Sequence, residues 1–101
     1  YLTVRADRKH YKIRFDDIYF IEGQQAYVTF NMKERKITAL MSMKDLEETL
    51  PHEQFIRIHK SFIVSRKYIN SLEGNQIDIN GQKLPVGKNY REQVQKLFNI
   101  K

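Results

Sequence analysis

Three histidines, His10, His52 and His59, are the side chains of this sequence that change charge near neutral pH, so acid–base or nucleophilic chemistry would start from them. His59 stands two residues before Ser61, and on a strand that spacing puts both side chains on one face. Neither a carboxylate at a prescribed spacing nor the Gly-x-Ser-x-Gly turn that lifts a nucleophilic serine accompanies them. His52 and His59 are seven residues apart across a break between a helix and a strand, which is not how paired zinc ligands are spaced. Cysteine is absent, which removes disulfides, zinc–thiolate centres and thiol nucleophiles together and suits a reducing compartment. The carboxylate pairs Asp16-Asp17 and Glu47-Glu48 suit a turn and a helix surface. The four glycines, Gly23, Gly74, Gly81 and Gly87, are scattered as turn residues rather than gathered before a helix to cradle a phosphate. The sequence therefore reads as a non-enzyme with no metal or cofactor.

The chemistry it does offer is cationic. In residues 55–67, apolar side chains alternate with Arg57, His59, Lys60, Arg66 and Lys67, and Ser61 adds a hydroxyl. A second basic set, Lys83, Lys88, Asn89 and Arg91, follows an Asn80-Gly81 pair. Cations and hydroxyls at such spacing can hold phosphates and reach base edges, yet a solvated basic surface would look the same. The whole chain leans the same way, with 18 Lys and Arg against 12 Asp and Glu for a formal charge of +6. That excess favours polyanionic partners in a salt-dependent manner.

The elements that must carry these residues are mostly strands. At 101 residues there is room for one domain, spanning residues 1–101, with one modest core. Residues 1–5 and 11–15 alternate apolar and polar side chains, and residues 18–21 form a short apolar run, as a strand buried on both faces would. A turn at residues 22–25, around Gly23, leads into a strand at 26–32. A hairpin at 33–35 leads into another strand at 36–40. Ser42 caps a short amphipathic helix that Pro51 ends. Strands follow at 55–59, 62–64 and 68–72. The Asn80-Gly81 hairpin then joins residues 76–79 to 84–86, with Pro85 marking an edge. Asn89 and Glu92 read as the capping pair of a closing helix along Tyr90, Val94, Leu97 and Phe98. The sum is a mostly β domain of eight to ten short strands with one or two short helices. No apolar run approaches the length that spans a bilayer, and the opening residues read as a strand rather than a signal. An extended segment at residue 1 with no initiating Met reads as a module of a longer chain, and cytoplasm is the expected compartment.

At these residues the chain resembles the LytTR DNA-binding domains of bacterial response regulators. The likeness runs through residues 13–22, Tyr27-Val28, Phe55-Ile56-Arg57-Ile58-His59-Lys60-Ser61-Phe62-Ile63-Val64 and Leu84-Pro85-Val86-Gly87-Lys88-Asn89-Tyr90. The Arg-Ile-His-Lys-Ser-Phe-Ile-Val and Pro-Val-Gly-Lys-Asn-Tyr runs, in that order, are its specific part. The resemblance implies small β-sheets stacked as an elongated sandwich, with loops rather than a recognition helix entering successive major grooves. It implies base contacts from Gln25, Tyr27, Lys60 and Lys88, and phosphate contacts from Arg57, His59, Ser61, Arg66, Lys67, Asn89 and Arg91. Family members can carry Asn at the place of Lys60, Arg at that of Lys88 and His at that of Tyr27, so base preference does not transfer. Lys lacks the planar fork that lets Arg pair with guanine bidentately.

The implied setting is the C-terminal output domain of a two-component transcription regulator. An upstream receiver would be phosphorylated by a sensor kinase, and a dimer would occupy paired direct repeats of double-stranded DNA. Two other readings fit the residues: a basic β-domain for RNA or single strands, stacking bases on Tyr11, Tyr19 or Tyr68, and a module for an acidic protein partner.

Overall fold

The computed structural model describes residues 1–99. Among the described residues, ten short strands and two short α-helices build an elongated body whose principal extents are 46 × 24 × 21 Å. Strands β1 (Leu2–Ala6) and β2 (Lys9–Ile13) form an antiparallel hairpin. A central antiparallel sheet follows, made of β3 (Ile18–Gln24), β4 (Tyr27–Met32), β5 (Lys36–Leu40), β6 (Phe55–His59) and β7 (Phe62–Ser65) in the order β5-β4-β3-β7-β6. A third sheet orders β10 (Gln82–Pro85), β9 (Gln76–Ile79) and β8 (Ile69–Glu73). The helices are α1 (Met43–Thr49), between β5 and β6, and α2 (Arg91–Leu97), after β10.

The middle of the central sheet, β3 and β7, is buried on both faces, which is why residues 18–21 show no alternation, whereas β5 keeps one face in solvent. Successive strand residues point to opposite faces, so Ile21 and its partner Ile63 join one core while Phe20 and its partner Val64 join another. Val4, Ile13, Phe30, Leu46 and Leu50 complete the first core, beneath the β1–β2 hairpin and α1. Ile58, Ile77, Ile79, Leu84 and Val94 complete the second, beneath the third sheet and α2. Ser42 caps α1 as expected, its hydroxyl accepting from the Asp45 N–H at 3.0 Å. Asn80 and Gly81 turn with φ of 50° and 88°, and Pro85 lies on an edge strand.

Local expectations needed correction at two glycines and one cap. Gly23 is not a turn residue. It lies inside β3, where a Cβ would sit 2.5 Å from Cγ of Met43, so its missing side chain admits the first residue of α1. The turn falls instead on Gln25-Ala26, and Gln25 takes the left-handed conformation with φ 54°. Gly87, with φ −70°, likewise serves a close approach rather than a turn, described below. Asn89 does not cap α2. It lies inside a single 3₁₀ turn, Lys88–Tyr90, and Tyr90 occupies the cap position without a side-chain bond.

Candidate nucleic-acid interface

Antiparallel pairing dictates which turns share an end of the central sheet. Glu22 pairs with Phe62, Gln24 with Tyr27, and His59 with Phe62, so the β3–β4 and β6–β7 turns leave the sheet side by side. The Gly23 N–H donates to the Ser61 carbonyl at 2.8 Å and ties the two turns together. The chain leaving β10 joins them because the Gly87 N–H donates to the Ile58 carbonyl, also at 2.8 Å. A Cβ on Gly87 would lie 3.4 Å from the His59 Cα and 3.1 Å from the Tyr90 ring, so glycine permits this approach.

Three loops remote in sequence thus present Gln25, Lys60 and Lys88 from adjoining positions, all exposed. Lys60, Lys88 and Arg91 form no ion pair among the described residues, so their charges face solvent uncompensated. Asn89 is exposed beside Lys88, and Arg91 is exposed at the start of α2. Tyr27 is 52% exposed, and its cross-strand partner Leu40, which the sequence did not single out, is 68% exposed. The Tyr27 ring is therefore offered outward instead of packing on the sheet.

The Lys60-Ser61 turn is held from within. The Ser61 N–H donates to Nδ1 of His59 at 3.0 Å, which assigns the neutral ring's proton to Nε2. Arg57 donates from Nε to the His59 carbonyl at 3.3 Å, from Nη2 to the Lys60 carbonyl, and from Nη1 to Oε1 of Glu47 at 3.0 Å. Its guanidinium also lies 5.9 Å from the centre of the Tyr90 ring. Gln93 of α2 donates to the Arg57 carbonyl at 2.7 Å. The sequence marks Glu47 only as a helix-surface carboxylate and Tyr90 as part of a helical stripe and a family run, and it gives Gln93 no marker; their bearing on this turn comes through tertiary packing.

Arg66 and Lys67 are not part of this cluster. Strand β7 carries the chain away from the turns, and both residues lie at the opposite end of the sheet in the 3₁₀ turn Arg66–Tyr68. There Arg66 donates to the His52 carbonyl at 2.9 Å, and the Lys67 Nζ lies 2.9 Å from Oδ1 of Asp16. The hydrogen bond and charge of Lys67 hold the Asp16 carboxyl below its ordinary pKa, and the bond to Asp16 raises that of Lys67. Lys83 is paired with Glu73 on the third sheet. The histidines do not converge, and no three His, Asp or Glu side chains group as metal ligands among the described residues. Tyr19 and Tyr68 pack edge to face at 4.7 Å, and Tyr11 is half-buried beside Arg35, so none is a free stacking platform.

Residues 8–99 match the LytTr DNA-binding domain model. The chain belongs to this family. LytTr domains bind DNA in transcription regulation and are not catalytic, and the matched segment takes in all three loops. The LytTr domain is 29% identical over 90 residues to the sensory transduction protein LytT of Bacillus subtilis, covering 83% of this chain and 37% of that one. It is 23% identical over 95 residues to LytT of Enterococcus faecalis, covering 88% and 39%. It thus spans less than two-fifths of the length of these relatives. A solved LytTr DNA-binding domain from Bacillus cereus superposes with a TM-score of 0.85 over 98% of this chain and 96% of that one at 24% identity, which establishes the common fold. No helix among the described residues is long and apolar enough to cross a membrane.

Proposed function

We propose that this LytTr domain reads double-stranded DNA with the loop-bearing end of its central sheet, as the output domain of a two-component response regulator in the cytoplasm. The observation that carries the reading is the pair of backbone bonds, Gly23 to Ser61 and Gly87 to Ile58, that joins three exposed loops into one uncompensated cationic edge. Lys60 and Lys88 enter the major groove and donate to guanine O6 or N7, each as a point charge rather than a fork. Gln25 and Tyr27 contact bases at the neighbouring turn, the amide by hydrogen bonds and the ring by apolar contact. Ser61, Asn89 and Arg91 hold phosphates around them and fix the register.

Arg66 and Lys67 lie at the other end of the sheet with partners of their own, and stand outside this surface. An upstream receiver, phosphorylated by a sensor kinase, would bring two copies onto paired direct repeats. The packing of Tyr19 against Tyr68 favours this reading over a single-strand or RNA platform, which needs free aromatic faces.

Selection of duplexes from a random pool by the purified chain, followed by competition with random duplex, single strands and structured RNA, tests the proposal. Recovery of direct repeats bound in preference to every competitor is expected. Preference for single strands or RNA would overturn it, and failure to bind any nucleic acid at low salt would favour an acidic protein partner.

A further inference from the structure

We propose that Arg57 is a positioning residue, which shapes the turn that presents Lys60 and makes no contact with phosphate itself. The proposal rests on the reading of Lys60 as a base contact and says what makes that contact selective. Arg57 lies on β6 directly before the turn, and its side chain is only 15% exposed. All three guanidinium nitrogens are engaged: Nε with the His59 carbonyl, Nη2 with the Lys60 carbonyl and Nη1 with Glu47. The first two acceptors are successive carbonyls, so one planar group fixes the orientation of two consecutive peptides. Those peptides set the direction in which the Lys60 side chain leaves the backbone.

Glu47 holds the fork from α1, and Tyr90 flanks it beside Lys88, so the same cation links the turn to the neighbouring loop. Three of its five N–H donors are taken and the group is largely buried, so a DNA phosphate has little access to it without disturbing the carboxylate and the carbonyls it already holds. Lys60 and Lys88 offer unpaired cations at no such cost.

Charge and geometry separate in the substitutions. Arg57→Lys keeps the cation but not the planar fork that spans three separated acceptors, whereas Arg57→Gln loses both. Glu47→Gln leaves Arg57 in place and removes the anchor of its fork, which covers the case in which an Arg57 variant fails to fold. The measurements are the affinity ratio between a wild-type-selected duplex and random duplex, the dependence of binding on salt, and amide hydrogen exchange at Ser61 in the free protein. Arg57→Lys is expected to lower the ratio on the order of tenfold, the scale of one misplaced base contact. Its salt slope should stay at the wild-type value, and Ser61 exchange should quicken. Glu47→Gln should move the ratio and the exchange in the same direction by roughly threefold, as a weaker loss of preorganisation.

An Arg57→Lys protein with the wild-type ratio and exchange rate would overturn the positioning role. So would a fall of about 0.9 in the salt slope of Arg57→Gln, the signature of one lost phosphate contact. A wild type that does not discriminate between duplexes would overturn the reading of the interface and this proposal with it. Discrimination by the wild type, matched by every variant, would overturn the positioning role alone.

Discussion

The two ends of the central sheet divide the cations of one short stretch, Lys60 from Arg66 and Lys67, and treat them in opposite ways, with Lys88 brought to the first end by the chain after β10. At the turn end, Lys60 and Lys88 are exposed and unpaired among the described residues. At the far end, Lys67 is paired with Asp16, Arg66 bonds the His52 carbonyl, and the Tyr68 hydroxyl donates to the Asp16 carbonyl at 2.6 Å. Four residues of β7 separate the two environments, about 13 Å at 3.3 Å per strand residue. Basic density along a chain is therefore not basic density on a surface. One end keeps its charge available, and the other uses it to pin a 3₁₀ turn against the β2–β3 connection.

Substitutions at the two ends should divide accordingly. The largest effect is expected for Lys60→Ala and Lys88→Ala, each lowering discrimination of a selected duplex by about 1–3 kcal/mol in competition binding. An unchanged ratio would remove these residues from base reading. Gly23→Ala, which forces a Cβ into Met43, is expected to destabilise the fold by roughly 1–3 kcal/mol in thermal or denaturant unfolding. Trimming Met43 to Ala in the same chain should recover much of that loss, a coupling measurable in a double-mutant cycle. Gln25→Gly should relieve about 1 kcal/mol of left-handed backbone cost and raise the melting temperature, while selectivity falls with the side chain. Gain in one measurement and loss in the other would show that the turn trades stability for contact.

The smallest effect belongs to the far end, where Lys67→Ala should leave duplex selectivity at the wild-type value. Asp16 and Lys67 are exposed, so their contribution to stability is slight but has a definite pH window. The folded-state pKa of Asp16 is lowered, so its contribution is present above 3.8 and disappears as pH falls through the lowered value. That of Lys67 is raised, so its contribution is present below 10.5 and disappears as pH rises through the raised value. The difference in melting temperature between wild type and Asp16→Asn should accordingly vanish in acid.

What the sequence displayed was local periodicity. Alternation revealed most strands, the unbroken run at 18–21 revealed a strand shared by two cores, and Ser42, Asn80-Gly81 and Pro85 stood where their backbone preferences place them. Exceptions arose where tertiary approach overrode local preference. Glu22-Gly23-Gln24 resembles a turn because glycine bends easily, but Gly23 is small for the sake of Met43, and the bend falls on Gln25, a residue with no turn signature. Asn89 had the chemistry of a cap but lies one position before the one that needs it. The family's motifs named the loops. They could not show that Arg57 faces inward, since its partners Glu47 and Gln93 lie 10 and 36 positions away.

The two-faced burial of β3 also bears on how the molecule comes apart. Phe20 and Ile21 are adjacent in the chain and belong to different cores, so loss of either core would strip one face of the strand that the other packs against. The hairpin layer and the three-stranded layer are thereby bound into one cooperative unit. Heating should produce a single transition, reported alike by probes in either layer. Truncating Phe20 should loosen packing against Ile21's side of the sheet as well as its own.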